Sequence, residues 1–430
     1  MTDMREHLRE ILTAGLEAAD PAKAVRRSVR LEGEDLIVED TSFPAERVFV
    51  VAVGKAAGAM AEAAAELLGD RVAGGLVVTK DDHNPGPDNL ETLFASHPEP
   101  DERGAEAARK VAELVEALED GDLLLALVSG GASALLADAA PPIELAELKE
   151  LTGALLRSGA DIGEINTVRK HVSTLKGGGL VRLASPAPVL ALLLSDVVGD
   201  EPSSIASGLT TPDPTTLNDT RSVLERYGIE LTSRITEHLR TADETPKPGD
   251  AAFERTVSVV CGGGRHAAEA AACQARDLGY TPVLLTTTLT GDAVEAAHMY
   301  AAIVREVLAS GNPAAAPCAI ISGGEATVTV RGDGKGGPNL EFALALAVEL
   351  EGVNGWSAFA IDTDGNDGST DAAGGVVDGG TAAKIRESGR EPATALAEND
   401  SYPALAAAES LVETGPTGTN VNDLRVALIL

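Results

Sequence analysis

Apolar positions along this chain follow two periods. Near the N-terminus, Leu8, Ile11, Leu12 and Leu16 share one helical face, which predicts an amphipathic helix closed by Asp20-Pro21. Beyond it, short apolar and β-branched runs alternate with glycine turns and Ala-rich stretches. Residues 47–53 predict a strand, Gly54-Lys55 a turn and residues 56–68 a helix. Further strands are predicted over 75–79, over 122–128 running into Ser129-Gly130-Gly131, and over 189–194 running into Ser195-Asp196. This alternation predicts an α/β fold, a parallel sheet with helices on both faces. Between 231 and 253 Thr, Asp, Glu and Pro dominate, and Pro246-Lys247-Pro248-Gly249-Asp250 predicts a linker or exposed loop. A second α/β pattern follows. It has strands at 256–260 before Gly262-Gly263-Gly264, at 282–286, at 319–321 before a Ser322-Gly323-Gly324-Glu325 turn, and at 326–330. Residues 357–361 run into the acidic turn Asp362-Thr363-Asp364-Gly365-Asn366-Asp367-Gly368. Two domains are expected, 1–245 and 246–430.

Composition sharpens this picture. A chain of 430 residues exceeds one ordinary core. With 44% hydrophobic but only 3% aromatic residues, the core must be built from Ala, Val, Leu and Ile. The net charge of −33 repels nucleic acid and anionic membranes. Arginines outnumber lysines 24 to 10. So acidic and lysine-poor a surface predicts adaptation to multimolar salt, which screens self-repulsion. Three cysteines, Cys261, Cys273 and Cys318, follow no metal spacing and fit a reducing compartment. The N-terminus has no apolar leader, and the longest apolar runs have strand length, too short to span a bilayer. A cytoplasmic location is expected.

Several turns carry candidate chemistry. Gly130 and Gly131, with Ser129, Ala132 and Ser133, follow a hydrophobic strand, so their backbone N–H groups and the next helix start can approach an anion. No Gly-x-x-x-x-Gly-Lys-Ser/Thr occurs. Lys55 beside Gly54 is a lone cation in a small-residue run, suited to a phosphoryl group. Asp196 can serve as metal ligand or as base for an alcohol. Arg169, Lys170 and His171, with Lys176 shortly after, can hold a carboxylate, or form a solvated basic helix face. Asp362, Asp364 and Asp367 do not complete a calcium loop, because Ala373 stands at its twelfth position. They suit Mg2+ or Mn2+ shared with phosphate oxygens, or a turn stabilised by its own backbone.

These segments resemble the glycerate 2-kinase family, whose members carry a C-terminal MOFRL domain. The resemblance rests on 53–57, 129–133, 166–178 and 195–208. In the second half it rests on 322–325, 334–342, 362–368 and 415–424. It implies a Rossmann-like three-layer N-terminal domain, a smaller α/β C-terminal domain with its MOFRL-type region at about 316–425, and an active site in the cleft between them. It implies ATP-dependent phosphorylation of D-glycerate to 2-phosphoglycerate with Mg2+ or Mn2+. Lys55 and Asp196 would be catalytic, with Gly54, Ser129 to Ser133 and Glu325 at the nucleotide. Arg169, His171, Lys176 and Asn339 would bind substrate, and Asp362, Asp364 and Asp367 the metal. There is one departure. The family usually reads Gly-Gly-Arg-Asn-Gln-Glu where this chain reads Gly336-Gly337-Pro338-Asn339-Leu340-Glu341. Arg265, Arg169 and Arg425 are candidates to supply the missing charge. The rival readings are a hydroxypyruvate reductase, which the absent Gly-x-Gly-x-x-Gly at 54–58 opposes, and a non-catalytic sugar-phosphate-binding module. The oligomeric state stays open, with a homodimer allowed.

Overall fold

The computed structural model of the chain describes residues 4–430. The chain divides into two compact units. In the first, Pro21–Ser195 with Asp200–Cys261, a small antiparallel sheet joins β1 (Val29–Glu32), β2 (Asp35–Val38) and β3 (Thr41–Pro44). The main sheet has six strands: β4 (Val48–Val53), β5 (Val72–Lys80), β6 (Glu91–Ala95), β7 (Leu123–Val128), β8 (Val189–Leu194) and β9 (Thr256–Gly262). Their order is β6-β5-β4-β7-β8-β9, with β4/β5, β5/β6, β4/β7 and β7/β8 parallel. Every residue of β7 and β8 is buried. That is why each reads as an unbroken apolar run rather than an alternation. The chain first builds outward from β4 through β5 to β6, then returns to place β7 on the other side of β4. At such a reversal the loops leaving the two strands diverge and open a crevice at their carboxyl ends.

The second unit has its own sheet, made of β10 (Thr281–Asp292), β11 (Cys318–Thr327), β12 (Trp356–Asp362), β13 (Gly374–Asp378), β14 (Leu411–Val412) and β15 (Asp423–Ile429). The order is β10-β11-β15-β12-β13-β14, and only β10/β11 is parallel. Side chains of β15 alternate between two cores. Ala427 and Ile429 pack with Tyr300, Phe342 and Trp356, while Leu424, Val426 and Leu428 pack with Leu8, Ile11 and Phe359. The second core explains where the N-terminal helix (Met4–Ala19) goes: its apolar face packs on the helix Gly264–Asp277 and on this sheet.

The division therefore differs from a single cut at 245/246. The N-terminal helix and the short segment Asp196–Gly199 belong to the second unit. Residues up to Cys261 belong to the first, because β9 extends its sheet beside β8. Of the two readings of 246–250, the exposed loop fits and the linker does not, because the segment lies inside the first unit and residues 248–250 are exposed. Pro246 O accepts from Asp213 N at 2.9 Å, and Lys247 Nζ donates to Thr245 Oγ1 at 2.8 Å. The expected turn at Ser322–Glu325 and separate strand at 326–330 are also corrected. Ser322 to Thr327 continue β11, whose extra length matches long β10 through irregular register. Among the described residues no helix is long and apolar enough to cross a membrane.

Candidate active site

The reversal between β4 and β7 carries the Gly54-Lys55 turn. Val53 is in register with Val128, and Lys55 N donates to Gly130 O at 2.9 Å, so the two loops leave the sheet side by side. Gly54 has φ +126, and a Cβ there would lie 2.2 Å from Ser129 Oγ, so only glycine lets the loops approach this closely. Lys55 is half-buried, and its ammonium makes no ion pair or hydrogen bond among the described residues. Ser129 does not face a ligand. It is buried, its N–H donates to Val53 O, and its Oγ accepts from Ala56 N. The helix after Gly131 is a single turn, Ala132–Leu135, too short for the dipole contribution the sequence pattern promised. What remains for an anion is the glycine backbone and Ser133, whose Oγ lies 3.0 Å from Ser207 Oγ.

Ser207 leads to a second cationic group. Its Oγ donates to Asn166 Oδ1 at 3.0 Å, on the helix Ile162–His171. One turn along that helix is Arg169. Its half-buried guanidinium has no carboxylate or hydrogen-bond partner among the described residues, and burial pushes its pKa down. Lys176 is buried, with Nζ donating to Leu136 O at 2.9 Å. Burial lowers its pKa, Asp138 opposes that, and Arg169 adds to it. Lys170 and His171 prove structural. Lys170 Nζ lies 3.3 Å from Asp213 Oδ1, both groups being buried. His171 is buried, with Nδ1 2.9 Å from Thr167 O and Nε2 3.4 Å from Glu244. His171, expected at the substrate, thus has its ring nitrogens facing protein groups.

The second unit gathers carboxylates. Burial pushes Asp362 up to about 8, with repulsion from Asp364, Asp423 and Asp367 adding to it. Its Oδ1 accepts from Asp364 N, and Asp364 Oδ1 accepts from Asn366 N, so the turn is stabilised by its own backbone. Glu325 reaches solvent, yet its carboxyl is raised by desolvation first and then by Asp423 and Asp196. Asp196, two residues beyond β8, thus faces the same carboxylates. Asp367 has another use. Its oxygens accept from Asn339 N at 3.0 Å, Asn339 Nδ2 at 3.1 Å and Leu340 N at 2.7 Å, capping the helix Pro338–Glu349. With both oxygens held by amides, Asp367 is a helix cap more than a metal ligand. Burial pushes it up to about 6. Asn339, expected at the substrate, is fully buried, with its amide nitrogen between Asp367 and Asp423. Among the described residues no group of three or more His, Cys, Asp or Glu is placed to hold a metal by itself.

Comparison with known proteins identifies this arrangement. Residues 7–240 match a domain of unknown function (DUF4147), and residues 318–423 match the MOFRL family. A D-glycerate 2-kinase of Thermotoga maritima is 43% identical over 98% of this chain and 97% of its own. The chain belongs to the MOFRL-containing glycerate 2-kinase family. A glycerate 2-kinase of Pyrococcus horikoshii is 38% identical over 99% of this chain and 98% of its own. An Agrobacterium vitis protein bearing the name hydroxypyruvate reductase is 44% identical over 99% of this chain and 94% of its own. The crystal structure of the T. maritima glycerate kinase superposes with TM-score 0.92 at 41% identity, covering all of both chains.

In this family member Pro338 stands where the sequence pattern expects arginine. It occupies the first position of its helix, where a missing N–H costs nothing. Of the candidate substitutes, Arg425 is fully buried, pairs with Asp423 and sits 5.3 Å over the Phe342 ring. Arg265 pairs with Glu269 along its helix. Arg169 alone of the three is unpaired. Asp423 lies in the 415–424 stretch that carries the resemblance but is not among the site residues singled out from it, and it opens β15. His97 is a lone histidine in a loop, and only the fold brings it to Lys55.

Proposed function

We propose that the protein transfers the γ-phosphoryl group of ATP to the 2-hydroxyl of D-glycerate. The observation that carries this reading is Lys55. It is a half-buried ammonium with no counter-ion among the described residues, at the strand reversal of a chain with net charge −33. A cation left without a partner in so acidic a protein is reserved for an anionic ligand. Lys55 would compensate charge on the transferring group, and the Gly130-Gly131 backbone would bind phosphate oxygens. Arg169 would take the glycerate carboxylate, with Lys176 as supporting charge. In the reaction, the bond from the γ-phosphorus to its bridging oxygen breaks as the bond to glycerate O2 forms. The hydroxyl proton passes to a carboxylate, for which Asp196 is the choice. Phosphoryl transfer asks for little beyond such positioning and charge compensation.

The carboxylates fit a divalent cation. Asp362 and Glu325 hold protons more tightly than ordinary carboxyls, first because burial disfavours their charge and then because neighbouring carboxylates repel it, and a bound cation would offset both. Asp362 and Asp364 would offer ligands to Mg2+ or Mn2+, which would supply charge neutralisation at the phosphates. Too few carboxylates converge to enclose it alone, as expected for a magnesium site completed by phosphate oxygens.

A nicotinamide-dependent reductase is disfavoured at the same turn. Ala56 stands where the dinucleotide fingerprint needs its second glycine, and its N–H is spent on Ser129 Oγ. The deciding experiment incubates the protein in concentrated KCl with ATP, Mg2+ and D-glycerate, and separately with NADH and hydroxypyruvate. Glycerate-dependent ADP release without NADH oxidation supports the kinase. The opposite pattern overturns it.

A further inference from the structure

The carboxyl ends of three neighbouring strands each lead to a basic residue. Val53 of β4 is in register with Val78 of β5, so Lys55 and Lys80 each lie two residues further on. Lys80 in turn is in register with Ala95 of β6, and His97 lies two residues beyond that. The row Lys55, Lys80 and His97 ends at the Gly130-Gly131 turn. A Cβ at Gly131, where φ is +84, would lie 3.0 Å from His97 Cδ2, 3.2 Å from its Nε2 and 3.4 Å from Lys55 Cγ. The Nε2 edge of the imidazole therefore faces the glycine turn together with the stem of Lys55.

The charges around His97 are of one sign. Burial pushes its pKa down to about 4, and Lys55, Lys80 and His83 push it the same way. Asp81 and Asp101, on neighbouring loops, are both taken up by Arg103, and Asp101 also caps the helix Glu102–Glu116. His97 makes no hydrogen bond or ion pair among the described residues. A half-buried imidazole beside two lysines, with no acid among the described residues to balance them, is poorly placed for stability and well placed for an anion.

We infer that His97 is a third phosphate-contacting residue, whose Nε2–H donates to an anionic oxygen bound over the Gly130-Gly131 turn next to Lys55. The inference rests on the kinase reading for its substrate, but the anion site can be tested without turnover. Arrival of a phosphate dianion reverses the local field and favours imidazolium, so binding takes up a proton. The affinity for a non-titrating anion must then rise as pH falls.

The experiment follows the His97 ring resonances of the full-length protein in concentrated KCl while sulfate is added, from about pH 8 to about pH 5, a range that brackets an ordinary histidine. The wild-type resonance is expected to titrate at higher pH with sulfate than without, and sulfate affinity to strengthen as pH falls. In His97→Gln, which keeps a donor that cannot ionise, that pH dependence is expected to vanish. His97→Ala should lose about 10-fold to 100-fold in kcat/KM for ATP with an unchanged melting temperature, the size of one charge-assisted hydrogen bond. If His97→Ala does not fold, the wild-type titration and the Gln variant decide. Sulfate that fails to bind, or binds without moving His97, or binds with the same pH dependence in His97→Gln, overturns the inference. Glycerate phosphorylation with a silent His97 would sink this inference alone. A responsive His97 without phosphorylated glycerate would sink the kinase reading and leave the anion site standing.

Discussion

Asn339 Nδ2 donates to Asp423 Oδ1 at 2.7 Å, tying the first turn of the helix Pro338–Glu349 to the start of β15. The same amide nitrogen also donates to Asp367. Asp423 Oδ2 accepts from Ala326 N and from the buried Arg425. One side chain thus keeps two buried carboxylates supplied with donors. Asn339→Ala leaves both short of a partner and should cost about 2–3 kcal/mol of stability. Urea unfolding at fixed KCl measures it. A change near zero would mean that water replaces the amide at both carboxylates.

The acidic turn makes stability depend on pH. Asp362 is pushed up to about 8 and Asp367 up to about 6, both by burial first, against an ordinary value of 3.8. The folded state therefore holds these protons more tightly than the unfolded chain. Their contribution is fully present below the unfolded value and is lost as pH rises through the folded values. Between about pH 4 and about pH 8 the metal-free protein should lose stability. Asp362→Asn should flatten this slope, which separates it from the general repulsion of a −33 chain. Thermal melts in EDTA across that range provide the test. Equal slopes in both proteins would contradict the account of the turn.

Lys170 and Asp213 form a buried pair in the first unit. Burial pushes the Asp213 pKa up. Lys170 and hydrogen bonds from Thr215 and Thr245 outweigh it and hold the group below the ordinary range. Lys170→Met removes the lysine paired with this carboxylate and should cost about 3–5 kcal/mol, with Asp213→Asn in the same chain recovering part of it. KM for glycerate should stay unchanged where the variant remains folded. A raised KM with normal stability would return Lys170 to the substrate site.

Much of the first unit was legible because its central strands are buried on both faces. Residues 48–53, 123–128 and 189–194 read as apolar runs, each followed by a turn that the structure places at a strand end. The second unit was harder. Its sheet is mixed, and Ser322-Gly323-Gly324 carries turn residues yet lies inside β11, where Gly324 lets Leu289 of β10 approach closely. The N-terminal helix was visible by its period, but nothing local says that its partner is helix Gly264–Asp277, some 250 residues away. The same limit applies to the site. Lys55 announces itself as a cation among small residues. His97 becomes meaningful only through strand register, and Lys170 and His171 look identical to Arg169 until burial separates them.

The central claim is that Lys55 serves phosphoryl transfer to glycerate. The most direct measurement is a phosphorus NMR time course of ATP, Mg2+ and D-glycerate in concentrated KCl, run with the wild type and Lys55→Ala. The account predicts a growing 2-phosphoglycerate resonance with the wild type and a rate about 100-fold to 1000-fold lower in the variant, the scale of one lost charge-stabilising group, with an unchanged melting temperature. A 2-phosphoglycerate signal that grows equally fast in Lys55→Ala, or no phosphorylated glycerate from folded wild-type protein, would contradict it.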